Sequence, residues 1–338
     1  MSFLLASISE SLKIWDYDDR QITPKATFHS NGGSVELSAL AWNHTNQVIA
    51  VAGAKQINLV HAQHGQLLSS IPFSDSATDS ISKNISAVSF SANSRLIASG
   101  SGSDILLWDL KKRNLKSALQ GHRQNVSALS FFYEGDIACG DLAGAVRIWD
   151  TKTNTSSVEL NASADISRGA AVSCLSVSTI GSAPKLAVGH DDGRLCVWDP
   201  STLTLLRKQH VCSGSLAGLS FSPKNYRLVS IVGSDGRLAL IDTSSKSTAE
   251  PSAAIDVGDA LTCVSFHEDA IHCVVGTQSG QLALFDWRNI RKPVLKFDAH
   301  TPYPVKSASF QVSTCLNYCI LVCIQFLVDL FVFVLYNR

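Results

Sequence analysis

Six five-residue runs along this chain end in an aromatic or aliphatic residue followed by aspartate: Leu12–Asp16, Ile105–Asp109, Val146–Asp150, Leu195–Asp199, Leu238–Asp242 and Leu282–Asp286. A seventh run, Ile57–His61, is a degenerate copy that fills the one gap. The penultimate residues fall at 15, 60, 108, 149, 198, 241 and 285, which spaces them by 45, 48, 41, 49, 43 and 44 residues. Each unit repeats one inner order. An alternating strand such as Val126–Phe131 comes first, then a small-residue strand ending in Gly, such as Ile137–Gly140. A Gly-containing tight turn leads into the run ending in Asp, and a fourth strand such as Leu203–Arg207 follows. Period-two alternation punctuated by Gly, Asp, Asn and Ser is what hairpin-linked antiparallel strands require.

A period in the forties built from four short strands predicts an all-β fold, a seven-bladed β-propeller. The first mark arrives at Trp15, leaving room for only two strands before it, while Pro304–Gln311 reads as a lone first strand. Joined, the two ends complete a seventh blade and remove an exposed sheet edge. Residues 1–311 are therefore expected to form the propeller and 312–338 a separate apolar segment. The marks, with Gly121-His122 paired to Trp149-Asp150, resemble the WD-repeat family. That family ties each blade with a buried His–Asp–Trp hydrogen-bond network. Here Ala143 stands where the family has Asp before Gly144, and Asp192-Gly193 and Asp235-Gly236 lack a well-spaced Gly-His upstream. The network is expected to be incomplete in every blade, leaving stability to sheet packing.

Charge and composition narrow the function. Lys plus Arg number 28 and Asp plus Glu 28, so no bulk positive field exists to hold nucleic acid. With 45% hydrophobic and 17% charged residues the chain has the composition of a folded protein. The N-terminal Met1–Ala6 lacks a basic region and its apolar run breaks at Ser7, which is not the pattern of a signal peptide. An intracellular chain with reduced thiols is expected. Six of its nine cysteines, Cys139, Cys174, Cys196, Cys212, Cys263 and Cys273, sit in apolar strand-like runs where a thiol acts as a small hydrophobe.

Catalytic chemistry has no foothold in the motifs. A phosphate-cradling Gly loop with Lys, a nucleophile elbow and a helix with spaced His and Glu are all missing. Carboxylates fall mostly at strand ends after Trp, where turn and capping roles account for them. Cys263, His267, His272 and Cys273 have metal-like spacing, but adjacent His272 and Cys273 point to opposite strand faces, so no metal is expected. His61 and His64 lie three apart in a turn without a third ligand. No cofactor is expected, and the reading is a non-enzymatic protein-interaction scaffold.

Two basic groups carry the candidate protein-binding residues. Lys111, Lys112 and Arg113 follow Trp108-Asp109, and Arg288, Arg291 and Lys292 follow Phe285-Asp286. Both occupy third-to-fourth-strand connections, which places them on one end of the propeller, suited to an acidic partner. Trp287, an aromatic in a turn beside Arg288, has the composition of a binding hot spot. Phe285-Asp286-Trp287-Arg288 also resembles the Asp-x-Arg box by which some WD-repeat proteins join a cullin-RING ubiquitin ligase as substrate receptors.

Within the family, the order and spacing of several stretches resemble one branch. They are Phe221-Ser222-Pro223, Gly233-Ser234-Asp235, Leu261–Phe266, Asp286-Trp287-Arg288, Lys292-Pro293-Val294 and Ala299-His300. That branch comprises centrosome and spindle-pole adaptors that recruit the γ-tubulin ring complex for microtubule nucleation. The resemblance implies partners at microtubule-organising centres and a cytoplasmic location. The branch's helical γ-tubulin-holding region has no counterpart after Gln311, so any γ-tubulin contact is expected to be indirect. Between Cys315 and Tyr336, 19 of 22 residues are apolar, aromatic or Cys, long enough for a transmembrane helix. Asp329 inside that run argues against spanning, and an altered C-terminus is the alternative reading.

Overall fold

The computed structural model describes residues 3–18, 21–30, 36–53, 56–72, 84–132, 135–153, 155–160, 170–178, 180, 184–244 and 251–311. Among them, 28 strands form seven four-stranded antiparallel sheets with no helix, the seven-bladed propeller expected. The apolar segment 312–338 lies outside the described residues. Among the described residues, no helix is long and apolar enough to cross a membrane.

Blades 2 to 7 each take their four strands in chain order, beginning at Ala39, Ile85, Val126, Val172, Leu216 and Leu261. First strands of consecutive blades pack on one another around the ring, which sets them at the axis. Burial follows from this placement. Second strands such as Leu96–Ser101 and His272–Thr277 are covered on both faces, whereas outer strands such as Thr204–His210 alternate exposed and half-buried. Seven apolar clusters fill the described core, one at each junction between blades. The second-strand glycines serve these junctions. A Cβ on Gly140 would collide with Val172 of the next blade, and one on Gly276 would lie 2.8 Å from Val305 Cγ1. The tight turns use glycine differently, as at Gly193, where φ of +79° suits a residue without a side chain.

A second device ties neighbouring blades at the axis. Ser89, Ser176, Ser220 and Ser265 each accept the backbone N–H of an aromatic residue in the following blade, Phe131, Phe221, Phe266 and Phe310, at 3.1–3.3 Å.

Blade 1 is built from both ends of the described chain. Ser307–Phe310 pairs antiparallel with Phe3–Ile8, Leu5 opposite Phe310 and Ile8 opposite Ser307. Leu12–Asp18 and Gln21–Phe28 complete the sheet. One strand precedes the strand of Trp15, against the two expected, because the missing first strand comes from the C-terminal side. Val305 and Phe310 are buried at 0% and 3% exposure, as closure requires. The Gln311 N–H donates to Leu4 O at 2.9 Å and the Lys306 N–H to Ile8 O at 2.9 Å, extending the ladder past both ends of the strand.

Candidate functional site

Two polar networks cross the blades, and one corrects the sequence reading. In blade 4, His122 Nδ1 lies 2.9 Å from Asp141 Oδ2, and His122 Nε2 lies 2.7 Å from Cys139 Sγ. The Trp149 indole N–H donates to the same sulfur at 3.2 Å. The His–Asp–Trp network is thus complete in this blade. Asp141 supplies the carboxylate that was sought at position 143, and Cys139 joins histidine to tryptophan. Asp141 Oδ1 meanwhile caps the turn through the N–H groups of Ala143 and Ala145, both at 2.9 Å.

Cys139, His122 and Asp141 have the order of a nucleophilic triad, but their setting opposes that chemistry. Cys139 is fully buried, and burial pushes its thiol up to about 12, so almost no thiolate exists at neutral pH.

The closing blade holds a shorter version. The Trp15 indole N–H donates to Ser7 Oγ at 2.9 Å, and Ser7 Oγ lies 2.9 Å from His300 Nε2, joining residues 293 positions apart. The Ser7 hydroxyl, one donor with two acceptor lone pairs, can serve both neighbours at once. Burial, with Lys13 nearby, holds His300 down to about 4, and the ring is neutral at pH 7.

The basic candidates lie on the end formed by first-to-second and third-to-fourth-strand turns. Lys111, Lys112 and Arg113 are exposed there. Their turn is shaped by Asp109 Oδ1, which accepts the N–H groups of Lys111 and Lys112 at 2.9 and 3.0 Å. Arg288, Arg291 and Lys292 are exposed on blade 7. The two groups share an end, yet blades 3 and 7 stand three steps apart in a ring of seven and form no single patch.

Trp287 departs from expectation. It is half-buried against Phe266, ring centroids 5.9 Å apart, within the cluster between blades 6 and 7. It is part of the core rather than an exposed anchor. Arg288 is bound to Asp286 through Nε at 3.0 Å and through a terminal nitrogen at 2.7 Å, while its side chain remains 60% exposed. That pairing holds the Asp286 carboxyl down to about 2.

Sequence reasoning missed the cations that extend the blade 7 group into a row. On the same end of blades 5 and 6, Lys185 Nζ sits 5.0 Å above the Tyr226 ring and donates to Thr243 Oγ1 at 2.9 Å. The Arg227 guanidinium lies 5.5 Å from that ring on an exposed turn that also carries Lys224. The aspartates ending the repeat marks cap their own turns and offset part of this charge, Asp286 by pairing with Arg288. Asp199 accepts the N–H of Ser201 at 2.9 Å and Asp242 that of Ser244 at 2.8 Å. Blades 5 to 7 therefore present a row of cations, Lys185, Lys224, Arg227, Arg288, Arg291 and Lys292.

Of the four residues with metal-like spacing, the structure gathers two. His267 and His272 converge on Asp269, while Cys263 and Cys273 are buried in separate apolar clusters. His61 and His64 stack at 4.9 Å. On the opposite end, a cavity of about 610 Å³ opens among Asn84, Ser86, Gly102, Asn125, Ser127 and Leu142, a lining without any acidic or basic side chain.

The seven repeat marks, the seven sheets and the blade 4 network define a WD-repeat β-propeller. The family profile "WD domain, G-beta repeat" matches residues 73–109 and 113–150, and "Nucleolar protein 10-like, N-terminal domain" matches 206–323. Among curated proteins the chain is similar to Protein NEDD1 of Homo sapiens, 26% identical over 327 residues, covering 92% of this chain and 45% of that protein. It is a NEDD1-like propeller, and it spans about half the length of the NEDD1 relatives it matches. It also resembles WD repeat-containing protein 90 of Homo sapiens, 26% identical over 77% of this chain and 15% of that protein. Among solved structures, a chain of the "Crystal Structure of Mitotic Checkpoint Complex" matches with a TM-score of 0.70 and 18% identity, covering 81% of this chain and 80% of that one. These likenesses support an interaction scaffold.

Proposed function

We propose that residues 1–311 are a non-catalytic cytoplasmic docking platform at centrosomes and spindle poles, meeting an acidic protein surface through the basic row on blades 5 to 7. The observation that carries this reading is the likeness to NEDD1 along 92% of the chain. The motif run from Phe221 to His300 supports it, resembling adaptors that recruit the γ-tubulin ring complex for microtubule nucleation. The γ-tubulin complex is proposed as an indirect partner, reached through other proteins of the organising centre. Exposed cations opposite an acidic surface speed encounter and fix orientation, whereas balanced net charge gives nucleic acid no hold.

The tagged chain, expressed in dividing cells, concentrates at spindle poles. Reversing Lys224, Arg291 and Lys292 to Glu weakens that localisation, while reversing Lys111, Lys112 and Arg113 leaves it intact. Diffuse staining of the unaltered chain in mitotic cells refutes the reading. A second reading, a ubiquitin-ligase substrate receptor, rests on the exposed but pinned Arg288 beside Asp286. Affinity capture separates the two: pericentriolar proteins with γ-tubulin favour the first, the ligase adaptor the second.

A further inference from the structure

The first-to-second-strand turn of blade 7 gathers ligating atoms that sheet pairing does not need. His267 Nδ1 and His272 Nδ1 lie 3.1 and 2.5 Å from one oxygen, Asp269 Oδ2, and the three atoms are all within 4.8 Å of one another. The other carboxylate oxygen accepts the N–H groups of Ile271 and His272 at 2.7 and 2.9 Å, which aims Oδ2 between the rings. Both imidazoles are more than nine-tenths buried.

Neither neutral tautomer can be placed on both rings of this group without conflict. If each Nδ1 carries a proton and donates to Oδ2, each Nε2 becomes a buried acceptor, and neither has a hydrogen-bond partner. If each Nε2 carries the proton, two ring lone pairs face a carboxylate oxygen. The N–H of Asp269 donates to His267 Nδ1 at 3.3 Å, which favours the lone pair there. A cation at the focus of the three atoms resolves both problems, since lone pairs and carboxylate become ligands and the Nε2 protons point outward. His272 Nε2 then faces Asp286 Oδ2 at 3.8 Å, the carboxylate–histidine relation that supports metal ligands. The His267 ring packs T-shaped against Phe3, Phe310 and Tyr17, ring centroids 4.6, 4.9 and 5.0 Å apart.

We propose that His267, Asp269 and His272 form a divalent-metal site, matched best to zinc, at the seam between blade 7 and the closing blade. Two imidazole nitrogens and a carboxylate oxygen are a borderline donor set, and three protein ligands leave a fourth position for water or a partner's side chain. Tetrahedral zinc ligands stand roughly 3.3 Å apart, so each imidazole nitrogen moves away from Asp269 Oδ2 by less than about 1 Å to accept the ion. The bound ion fixes the His267 ring, which packs on Phe3, Tyr17 and Phe310 of the closing blade.

The test uses the full chain, stripped of metal, with Zn²⁺ alone as calorimetric titrant and Co²⁺ as the optical probe. One Zn²⁺ binds per chain, thermal unfolding shifts upward, and Co²⁺ gives the visible absorption of tetrahedral nitrogen and oxygen ligation. Asp269→Asn and His272→Gln, each checked for native circular dichroism, weaken Zn²⁺ binding at least tenfold, while His64→Ala leaves it unchanged. Absence of Zn²⁺ binding and of the Co²⁺ band in the unaltered chain overturns the site, whatever the variants do. So does undiminished binding in a folded Asp269→Asn or His272→Gln variant, or loss of binding in His64→Ala.

Discussion

Acidification should loosen the closing blade through one residue, His300. In the folded chain its ring lies 2.9 Å from Ser7 Oγ and is neutral, held down to about 4 by burial, against 6.5 for the free side chain. A histidine with a depressed folded value keeps its full stabilising contribution above pH 6.5. That contribution is lost as pH falls from there toward 4, because only the unfolded chain takes up the proton with ease. At pH 4.5 the loss is about 2.5 kcal/mol, from about 1.4 kcal/mol per pH unit across that window. Structurally, protonation would place a charge in a buried site close to the Lys13 ammonium. The assay is urea denaturation of the unaltered chain and His300→Gln at pH 7.5, 6.0, 5.0 and 4.5. His300→Gln costs stability at pH 7.5, and the gap between the two proteins narrows by about 2.5 kcal/mol by pH 4.5. Because other groups titrate equally in both proteins, the difference isolates His300. A gap that stays constant across the series refutes the reasoning.

Three further outcomes are expected. Phe310→Ala empties a site at 3% exposure between Tyr17 and His267 and should cost about 3–5 kcal/mol in denaturant unfolding. Cys139→Ser keeps a bridge between His122 and Trp149 and should change stability by less than about 1 kcal/mol; Cys139→Ala strands both nitrogens and should cost about 2–3 kcal/mol, read by the same unfolding curves. Peptide mass spectrometry after brief alkylation at pH 8 should find Cys139, Cys174, Cys196, Cys212 and Cys263 unmodified, because burial holds their thiols up to about 11–12.

The blade architecture was legible because each strand writes its burial into alternation, and because the mark ending in Asp recurs at a fixed period. Closure was legible too, since Pro304–Gln311 reads as a strand with no sequential partner. The polar networks were harder to read. Asp141 is not legible as the network carboxylate because the family pattern puts it at position 143, beside Gly144, whereas here a carboxylate two residues earlier reaches both the turn and His122. Cys139 reads as a hydrophobe along the chain, and only the approach of His122 and Trp149 gives its sulfur a polar role. Trp287 looked exposed because it follows a strand end, but Phe266 meets it across the turn. Asp269 was passed over because ligands were sought among cysteines and histidines on strands; the turn returns on itself, His267 N–H to His272 O at 2.9 Å, and brings the carboxylate between the rings. Lys185 and Arg227 stand too far apart in sequence to announce a shared surface. A repetitive sequence states its repeating unit plainly, while the differences that make a site depend on which loops the ring brings together.

Pairing Phe3–Ile8 with Ser307–Phe310 also sets a timetable for synthesis. The first strand leaves the ribosome about 300 residues ahead of its partner, a wait of roughly 15–60 s at 5–20 residues per second. Six blades can assemble in that interval, but the ring has no latch until the last strand emerges. Throughout the wait the nascent chain carries an open edge along Phe3–Ile8, the segment where a chaperone would have most to protect. A ribosome that stalls after Asp298 and before Ser307 releases a product with the strands of six blades complete and the ring unlocked.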